Sequence, residues 1–513
     1  MGDLKTDLEA AGLELIETHI SWVFLGPSEV FKIKRPVDFG FLDFTTVEAR
    51  RWACDAEVRL NRRLAPDVYL GVVPVTVDGA GAHAIDGAGR TIDWAVHMRR
   101  LSMEHRADEM LTAGSLLPEH VDQLADRIAR FHAAARCDQE TSRHGEVATI
   151  LGNVQENFEQ TRDSIADYLT EEQAREIETW QRAMLRDKER FEHRIATERV
   201  RDGHGDLRLE HVYFEPAGSI SIIDCIEFND RFRYGDVCAD IAFLSMDLAW
   251  HGRVDLAERL LARYARESND YGLYSVVDFY ESYRAFVRGK IASFLAADAV
   301  AAPSTRERAK REARRYFLLS LAYERPPLVP PRLIAVGGII ASGKSRTAEA
   351  IGELLAAPVV SSDRTRKHLM GRGPEESLKS DAWSGPYSPS ATKAVYETLW
   401  KTADTILSSG RPVVIDASFR TAETRSSARA LAEARNVPFL FVECQAPRDL
   451  VLQRLAGREE KGAHVSDARS DLLDEFERRF EPIVELDAAE HVRVDTSRPR
   501  EENRRRLEKM LES

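Results

Sequence analysis

The sequence predicts an α+β unit, a small β-rich lobe followed by a mainly helical one, joined to an α/β unit built on a parallel sheet. Three observations carry this. The run Glu324–Pro331, ERPPLVPP, holds four prolines; proline removes backbone donors and turns its predecessor away from helix, so the run reads as a stiff linker. Before it, strand-like segments crowd into residues 20–100 and helical periodicity fills most of 119–322. After it, strands and helices alternate. With 513 residues the chain exceeds one ordinary core, and two or three units are expected. The expected division is 1–325 (small lobe about 1–100, helical lobe about 101–325), a linker at 326–331, and a second unit at 332–513.

In the first unit the strand candidates are ISWVFLG, VFKIK after a Pro27-Ser28 turn, YLGVVPVTV and WAVHMRRL, with a helix through Glu48–Leu64 between the second and third. Residues 119–200, including one long run over Glu171–Ile195, and 240–322 have the 3.6-residue apolar period of helices. Between them VYFEP and SISIID form a short β segment that holds most of the polar chemistry. The basic stretch Thr305–Tyr316 carries six Lys/Arg and two Glu at helical spacing and reads as a solvated face. After the linker, strands LIAVG, PVVS, PVVIDA, PFLFVEC and HVRVD alternate with helices near 343–355, 391–408, 423–435, 447–456 and 469–480, which implies a parallel sheet covered on both faces.

Composition narrows the function classes. A net charge of −13 excludes a broadly basic surface for nucleic acid or anionic lipid. The cysteines Cys54, Cys137, Cys225, Cys238 and Cys444 are odd in number and form no CxxC pair, against a disulfide framework or a cysteine zinc site. The longest apolar stretch, around Leu333–Ala341, is far short of the ~18 residues of a membrane span. The start, MGDLKTDLEAAG, has no apolar core of a secretory signal. A cytoplasmic protein without a membrane partner is expected.

The strongest motif is Gly338-Ile-Ile-Ala-Ser342-Gly343-Lys344-Ser345. It follows a strand and opens a helix, so its glycines let successive N–H groups face a phosphate while Lys344 neutralises β/γ oxygens and Ser345 holds Mg²⁺. The next strand ends in Ser-Ser-Asp363-Arg-Thr-Arg366, placing a carboxylate to activate a hydroxyl and an arginine to hold an anion. Val413–Asp416 is an apolar strand whose Asp416 is placed to orient Mg²⁺. Arg454, Arg458 and Arg469 flank the loop Glu459–Asp467, which has the makings of a lid closing over a γ-phosphate. With these residues the half from Leu333 onward resembles the P-loop kinases of small metabolites and of polynucleotide 5′ ends. That resemblance implies that Asp363 is the general base on the acceptor hydroxyl. No N-K-x-D sequence suggests a GTPase.

A second constellation lies in the first unit. His204-Gly-Asp206-Leu-Arg-Leu-Glu210-His211 precedes VYFEP, and Ile220–Ile223 delivers Asp224, followed by Cys-Ile-Glu227. One carboxylate to accept a hydroxyl proton and one to grip a metal is what phosphoryl transfer requires. Asp240 opens an apolar helix downstream. These stretches resemble the aminoglycoside phosphotransferase family, the protein-kinase-like small-molecule kinases, over most of residues 20–322. The resemblance implies that Asp206 is the base, that Asp224 binds metal and that Asp240 anchors the loop. It also implies a strand lysine with a helix glutamate, and an adenine-binding hinge at Trp94–Arg99 around Met98. Lys32 and Lys34 share one face, so parity does not choose between them; compact Val30, two before Lys32, favours Lys32, with Glu57 as partner. Where the family has a metal-binding Asn, this chain has His211, a poor Mg²⁺ ligand that leaves Glu210 or Glu227 as substitutes.

The expectation is a bifunctional ATP- and Mg²⁺-dependent phosphotransferase, each half acting on a hydroxyl of a small polar acceptor such as a sugar, aminoglycoside or amino alcohol. The alternative keeps catalysis in the P-loop half alone, on a small molecule or a nucleic-acid 5′ end, with the first half a nucleotide- or ligand-binding regulatory module.

Overall fold

The computed structural model describes residues 3–40, 42–321, 327, 329–373, 376, 378, 384–461 and 473–512. Alternation of apolar and polar residues up to Arg99 gives one antiparallel sheet. Its strands are β1 (Glu14–Glu17), β2 (Ser21–Leu25), β3 (Glu29–Lys34), β4 (Tyr69–Val77), β5 (His83–Ile85) and β6 (Arg90–Arg99), ordered β1-β2-β3-β6-β4-β5. Because side chains alternate, the sheet has two different faces. Val30, Tyr69, Val96 and Met98 pack against Cys54 and Val58 of the helix Val47–Asn61. Phe24, Ile33, Val75 and Ala95 pack on Leu8 of the helix Leu4–Ala10. Lys32 and Lys34 share the parity of Val30, which turns them toward the helix Val47–Asn61.

The helical lobe includes the helices Pro118–Ala134, Val147–Thr161, Val237–Trp250, Val277–Ala297 and Pro303–Leu319. The expected run over 171–195 is two helices, Glu171–Met184 and Lys188–Ala196; the backbone leaves helical geometry at Asp187 (ψ 78°). Two short antiparallel pairs frame the polar segment: β7 (Val200–Asp202) with β10 (Tyr234–Asp236), and β8 (Val212–Phe214) with β9 (Ile220–Ile222).

The second sheet is parallel: β11 (Leu333–Gly337), β12 (Val359–Ser361), β13 (Val413–Asp416), β14 (Phe439–Gln445) and β15 (His491–Asp495), ordered β12-β13-β11-β14-β15. Ile334, Val336, Val414 and Val442 form its core with Ala348, Ile351 and Leu355 of the helix Lys344–Leu355 and with Leu507 of the helix Arg500–Glu512. Parallel register ends all the strands on one edge, where open sheets of this kind bind ligands.

The chain does not divide at one point. One compact unit is Met1–His251 with Phe279–Leu321; the other is Gly252–Asp278 with Ala322–Ser513. By contacts, residues 252–278 group with the second unit, where the sequence pattern runs them on from the first. The cause is visible at Arg411, just before β13: its buried guanidinium lies 2.8 Å from Glu258 Oε2, 2.9 Å from Asp278 Oδ1 and over the Tyr274 ring. Tyr271 donates its hydroxyl to the carbonyl oxygen of Val359 in β12 (2.8 Å). The linker expected at 326–331 lies partly outside the described residues. Among the described residues no helix is long and apolar enough to cross a membrane.

Candidate active sites

In the first unit, the buried Glu57 receives both strand lysines. Lys32 Nζ is 2.9 Å from Glu57 Oε1 and 2.7 Å from Asp224 Oδ1. Lys34 Nζ is 2.5 Å from Glu57 Oε2 and pairs also with Glu227. Glu227, expected at a metal, is therefore committed to a buried lysine; burial pushes its carboxyl above the usual range, opposed by Lys34. Lys32 alone of the two reaches Asp224.

The segment His204–His211 is held from behind by a helix. Asp240 accepts the backbone N–H groups of His204 (2.6 Å) and Gly205 (2.9 Å), with His132 Nε2 at 3.3 Å. Asp247, one helical turn-pair further along, accepts the N–H of Leu209 (2.9 Å). The His204 ring lies between the two functional carboxylates: Nε2 donates to the Ile223 carbonyl oxygen (3.0 Å) and Nδ1 accepts from the Asp206 N–H (3.3 Å). Burial pulls His204 down to about 4, so it is neutral here.

Asp206 is gripped by Arg208 at 2.9 and 3.1 Å, and Arg208 pairs in turn with Glu210. Burial alone would raise the Asp206 carboxyl; the Arg208 guanidinium and His211 outweigh it and hold the group well below the carboxylate range. Asp224 has φ 65°, a strained value for a non-glycine residue. It is held there because its N–H donates to the Tyr69 hydroxyl (3.2 Å) and the next N–H, of Cys225, to Asn61 Oδ1 (2.8 Å). Burial opposes ionisation of Asp224 too, but Lys32 and then His211 keep it ionised; its side chain is 44% exposed, so water screens part of this.

His211 stands between the two carboxylates. Its Nδ1 is 2.8 Å from the Asp206 carbonyl oxygen, which can only accept, so Nδ1 carries the proton. Nε2 lies 3.6 Å from Asp224 Oδ2 and 4.0 Å from Glu210 Oε1. Among the described residues no three His, Cys, Asp or Glu are placed to hold a metal by themselves. A half-exposed carboxylate at Asp224 nevertheless fits Mg²⁺, which commonly binds one or two carboxylates plus substrate phosphates. Met98 is buried and paired with Val30 across β3 and β6, in the apolar cluster that Ile223 also touches.

In the second unit the loop after β11 closes tightly. At Gly338 (φ 141°) a Cβ would stand 2.6 Å from the Cys444 carbonyl oxygen, and at Gly343 (φ 97°) 2.9 Å from Thr496. Both positions need glycine. Lys344 donates from Nζ to the Ile339 carbonyl oxygen (2.7 Å), folding over the loop, and the buried Ser342 Oγ has no partner among the described residues. Parallel register aligns Asp416 with Val336 and Ser361. The Asp416 carboxyl hydrogen-bonds Ser345; burial pushes it up to about 6, Asp363 adds to the rise, and Lys344 and Ser345 oppose it. A buried carboxylate beside a hydroxyl is a donor set suited to a hard cation, and a glycine loop with an orphaned hydroxyl is suited to phosphate.

Asp363 sits half-buried in the first turn of the helix Ser362–Leu369. Arg366, on the same helix, is buried: NH1 donates to the Pro386 carbonyl oxygen (2.6 Å), the guanidinium lies 4.8 Å over Tyr387, and Nε has no partner among the described residues. Arg454 differs from the expected lid residue. It donates to the carbonyl oxygens of Ala341 (3.2 Å) and Thr496 (2.7 Å) and to Thr496 Oγ1 (3.1 Å), while Thr496 Oγ1 donates to Ser342 O (2.6 Å). It therefore braces the phosphate loop. The Arg458 side chain, Arg469 and residues 462–467 lie outside the described residues.

Comparison with known proteins matches these two sites to two families. Residues 49–280 match the phosphotransferase enzyme family, and residues 333–483 match a family described as AAA domain. A protein of Mycobacterium tuberculosis strain H37Rv, named only as uncharacterised, is 32% identical over 490 residues, covering 95% of this chain and 93% of that one. A Mycobacterium bovis protein, also named as uncharacterised, gives the same figures.

The chain belongs to this two-domain kinase family.

Its first domain is a phosphotransferase-family, protein-kinase-like domain and its second a P-loop kinase-like domain. The chain is a kinase. Among solved structures, a choline/ethanolamine kinase family protein of Mesorhizobium loti aligns at TM-score 0.34 and 12% identity over 60% of this chain and 92% of that one. The Mycobacterium tuberculosis APS kinase aligns at TM-score 0.26 and 20% identity, over 37% of this chain and 100% of that one.

Sequence reasoning missed Arg208, Asp247, Asn61, Tyr69 and Thr496 as supports of the two sites. All but Arg208 act across long separations that no local pattern marks.

Proposed function

We propose that each domain transfers the γ-phosphate of ATP to a hydroxyl of a small polar acceptor, in the cytoplasm. The observation that carries this is Lys32, bridging Glu57 and Asp224 while Asp206 is held beside Asp224 through His211 and His204. In the first domain Asp206 accepts the proton of the acceptor hydroxyl as its oxygen attacks the γ-phosphorus. Lys32, steadied by Glu57, holds the ATP phosphates, and the wall around Val30 and Met98 receives the base. Asp224, with His211 or Glu210 beside it, would hold Mg²⁺, which supplies charge neutralisation of the phosphates when bound.

In the second domain the loop from Gly338 to Ser345 cradles the phosphates, and Lys344 swings from Ile339 O onto them. Ser345 and Asp416 would hold Mg²⁺. Asp363 takes the acceptor proton, Arg366 orients the acceptor, and Arg458 and Arg469 offer charge to the γ-phosphate. Arg454 holds the loop in shape.

Separate Asp206→Asn and Lys344→Ala proteins, assayed with radiolabelled ATP against sugars, aminoglycosides, amino alcohols and 5′-OH oligonucleotides, test the reading. Each substitution should remove one set of labelled products by about 10²-fold or more and leave the other. A second reading is favoured by His211 standing where a metal-binding oxygen is expected: the first domain then only binds nucleotide or ligand. Unchanged labelling of every acceptor by Asp206→Asn would select it. Labelled oligonucleotide lost in Lys344→Ala would name a nucleic-acid 5′ end as the second acceptor.

A further inference from the structure

The first unit holds an open cleft that none of Lys32, Glu57, Asp206, His211 or Asp224 lines. Its walls are the chain through Arg231–Asp240, the helix Val147–Thr161 with the preceding His144, and Tyr280, Tyr283 and Arg284 of the helix Val277–Ala297. Gly203 and Asp240 also face it. These two belong to the support of the Asp206 loop, since Asp240 takes the N–H groups of His204 and Gly205, and Gly203 donates its own N–H to Arg233 O (3.0 Å).

The charges on the walls are unequal. Asp236 is held on both oxygens by Arg194, at 2.8 and 2.6 Å, and Asp240 is saturated by two amides and His132. Neither carboxylate has capacity left for an ammonium ligand. Arg231 pairs with Glu156 and donates to Asn153 Oδ1 (2.8 Å), and Arg233 pairs with Asp202 and Asp230. Arg284 is different. Its Nε donates to the Ala239 carbonyl oxygen (3.2 Å) and its plane lies over Phe243 and Tyr283 at 4.8 and 5.9 Å. No carboxylate pairs with it among the described residues. Stacking fixes the guanidinium fork, and its two terminal nitrogens are left for a ligand. His144 Nδ1 likewise has no partner among the described residues.

We propose that this cleft is a second ligand site of the first unit, for a small phosphate monoester, and that filling it steadies the loop carrying Asp206. The Arg284 fork matches a phosphate bidentately. The Tyr280 and Tyr283 rings also line the cleft, and an unpaired guanidinium beside wall carboxylates that are already paired suits a phosphate better than a cationic aminoglycoside. The ligand would touch Arg231–Asp240, the segment that fastens His204 and Gly205. Nothing in this depends on whether Asp206 transfers phosphate.

The test is direct binding to the full chain, by calorimetry, of inorganic phosphate, glucose 6-phosphate, glucose and kanamycin. Glucose 6-phosphate should bind, and Arg284→Gln should weaken it at least tenfold, with Arg284→Lys intermediate and serving as the reading if the glutamine variant unfolds. Arg284-dependent binding of inorganic phosphate alone also supports an oxyanion site. Anions held at Lys32 or Lys344 would be insensitive to Arg284, so binding that survives both variants overturns the proposal. So does binding by neither anion, or displacement by kanamycin. Hydrogen exchange of the peptide 203–212 should slow on binding; unchanged exchange overturns the link to the loop.

Discussion

At the scale of residues, the candidate base Asp206 is tuned by its neighbours rather than by its own position. Asp206 would have a raised carboxyl from burial were Arg208 absent. Replacing Arg208 with Met removes the favourable charge and leaves the burial, so the Asp206 carboxyl must rise. The acid limb of first-site kcat/KM is expected to move to higher pH by about one unit or more; an unmoved limb would mean that Asp206 does not titrate it. His204 makes a stability prediction. Its folded value of about 4 lies below the unfolded 6.5, so between those values the unfolded chain binds the extra proton. Stability is then present above pH 6.5 and lost as pH falls toward 4. His204 should contribute about 2 kcal/mol to the difference between denaturant titrations at pH 7 and pH 5, and His204→Gln should reduce the measured difference by about that amount.

At the scale of elements, the phosphate loop is braced from the far side of its sheet. Thr496, just past β15, donates to Ser342 O and accepts from Arg454, which also holds Ala341 O. Thr496→Val keeps the volume and removes the hydroxyl, so it should cost about 1–3 kcal/mol. It should raise the ATP KM of the Lys344-dependent activity and leave the Asp206-dependent one unchanged, which a melting curve and the two assays would check. This brace also shows where sequence legibility stops. All five parallel strands were readable, because each is a short apolar run between turn signals, and so was the loop chemistry from Gly338 to Ser345. The edge strands β1 and β5 were not, being four and three residues long. The helices Ser362–Leu369 and Arg500–Glu512 were also missed; the first is only eight residues and strongly polar. Lys32 and Lys34 have identical parity, and only the fold separates Asp224 from Glu227 as their second partners. Arg454 has the spacing of a lid arginine, yet a threonine 42 residues later decides its role.

At the scale of the whole molecule, the sequence pattern and the contacts divide the chain differently at 252–278. Helical periodicity placed Gly252–Asp278 in the first unit because it follows the Asp240 helix directly, yet its polar ends answer groups on the second. Glu258 and Asp278 neutralise the buried Arg411, Tyr271 caps the Val359 carbonyl, and Arg364 reaches Arg266 O (3.1 Å) and Glu267. Breaking such a buried pair by removing one partner commonly costs about 3–5 kcal/mol. Glu258→Gln with Asp278→Asn should therefore destabilise the P-loop unit far more than either charge loss would at a surface. The decisive comparison uses two fragments, residues 322–513 alone and the same residues joined by a flexible linker to 252–278. The joined fragment should melt several degrees higher, and the paired substitutions should erase that gain; ~1 kcal/mol corresponds to roughly 2–4 °C at this size. Equal melting of the two fragments would return 252–278 to the first unit and make the proline-rich run the true boundary.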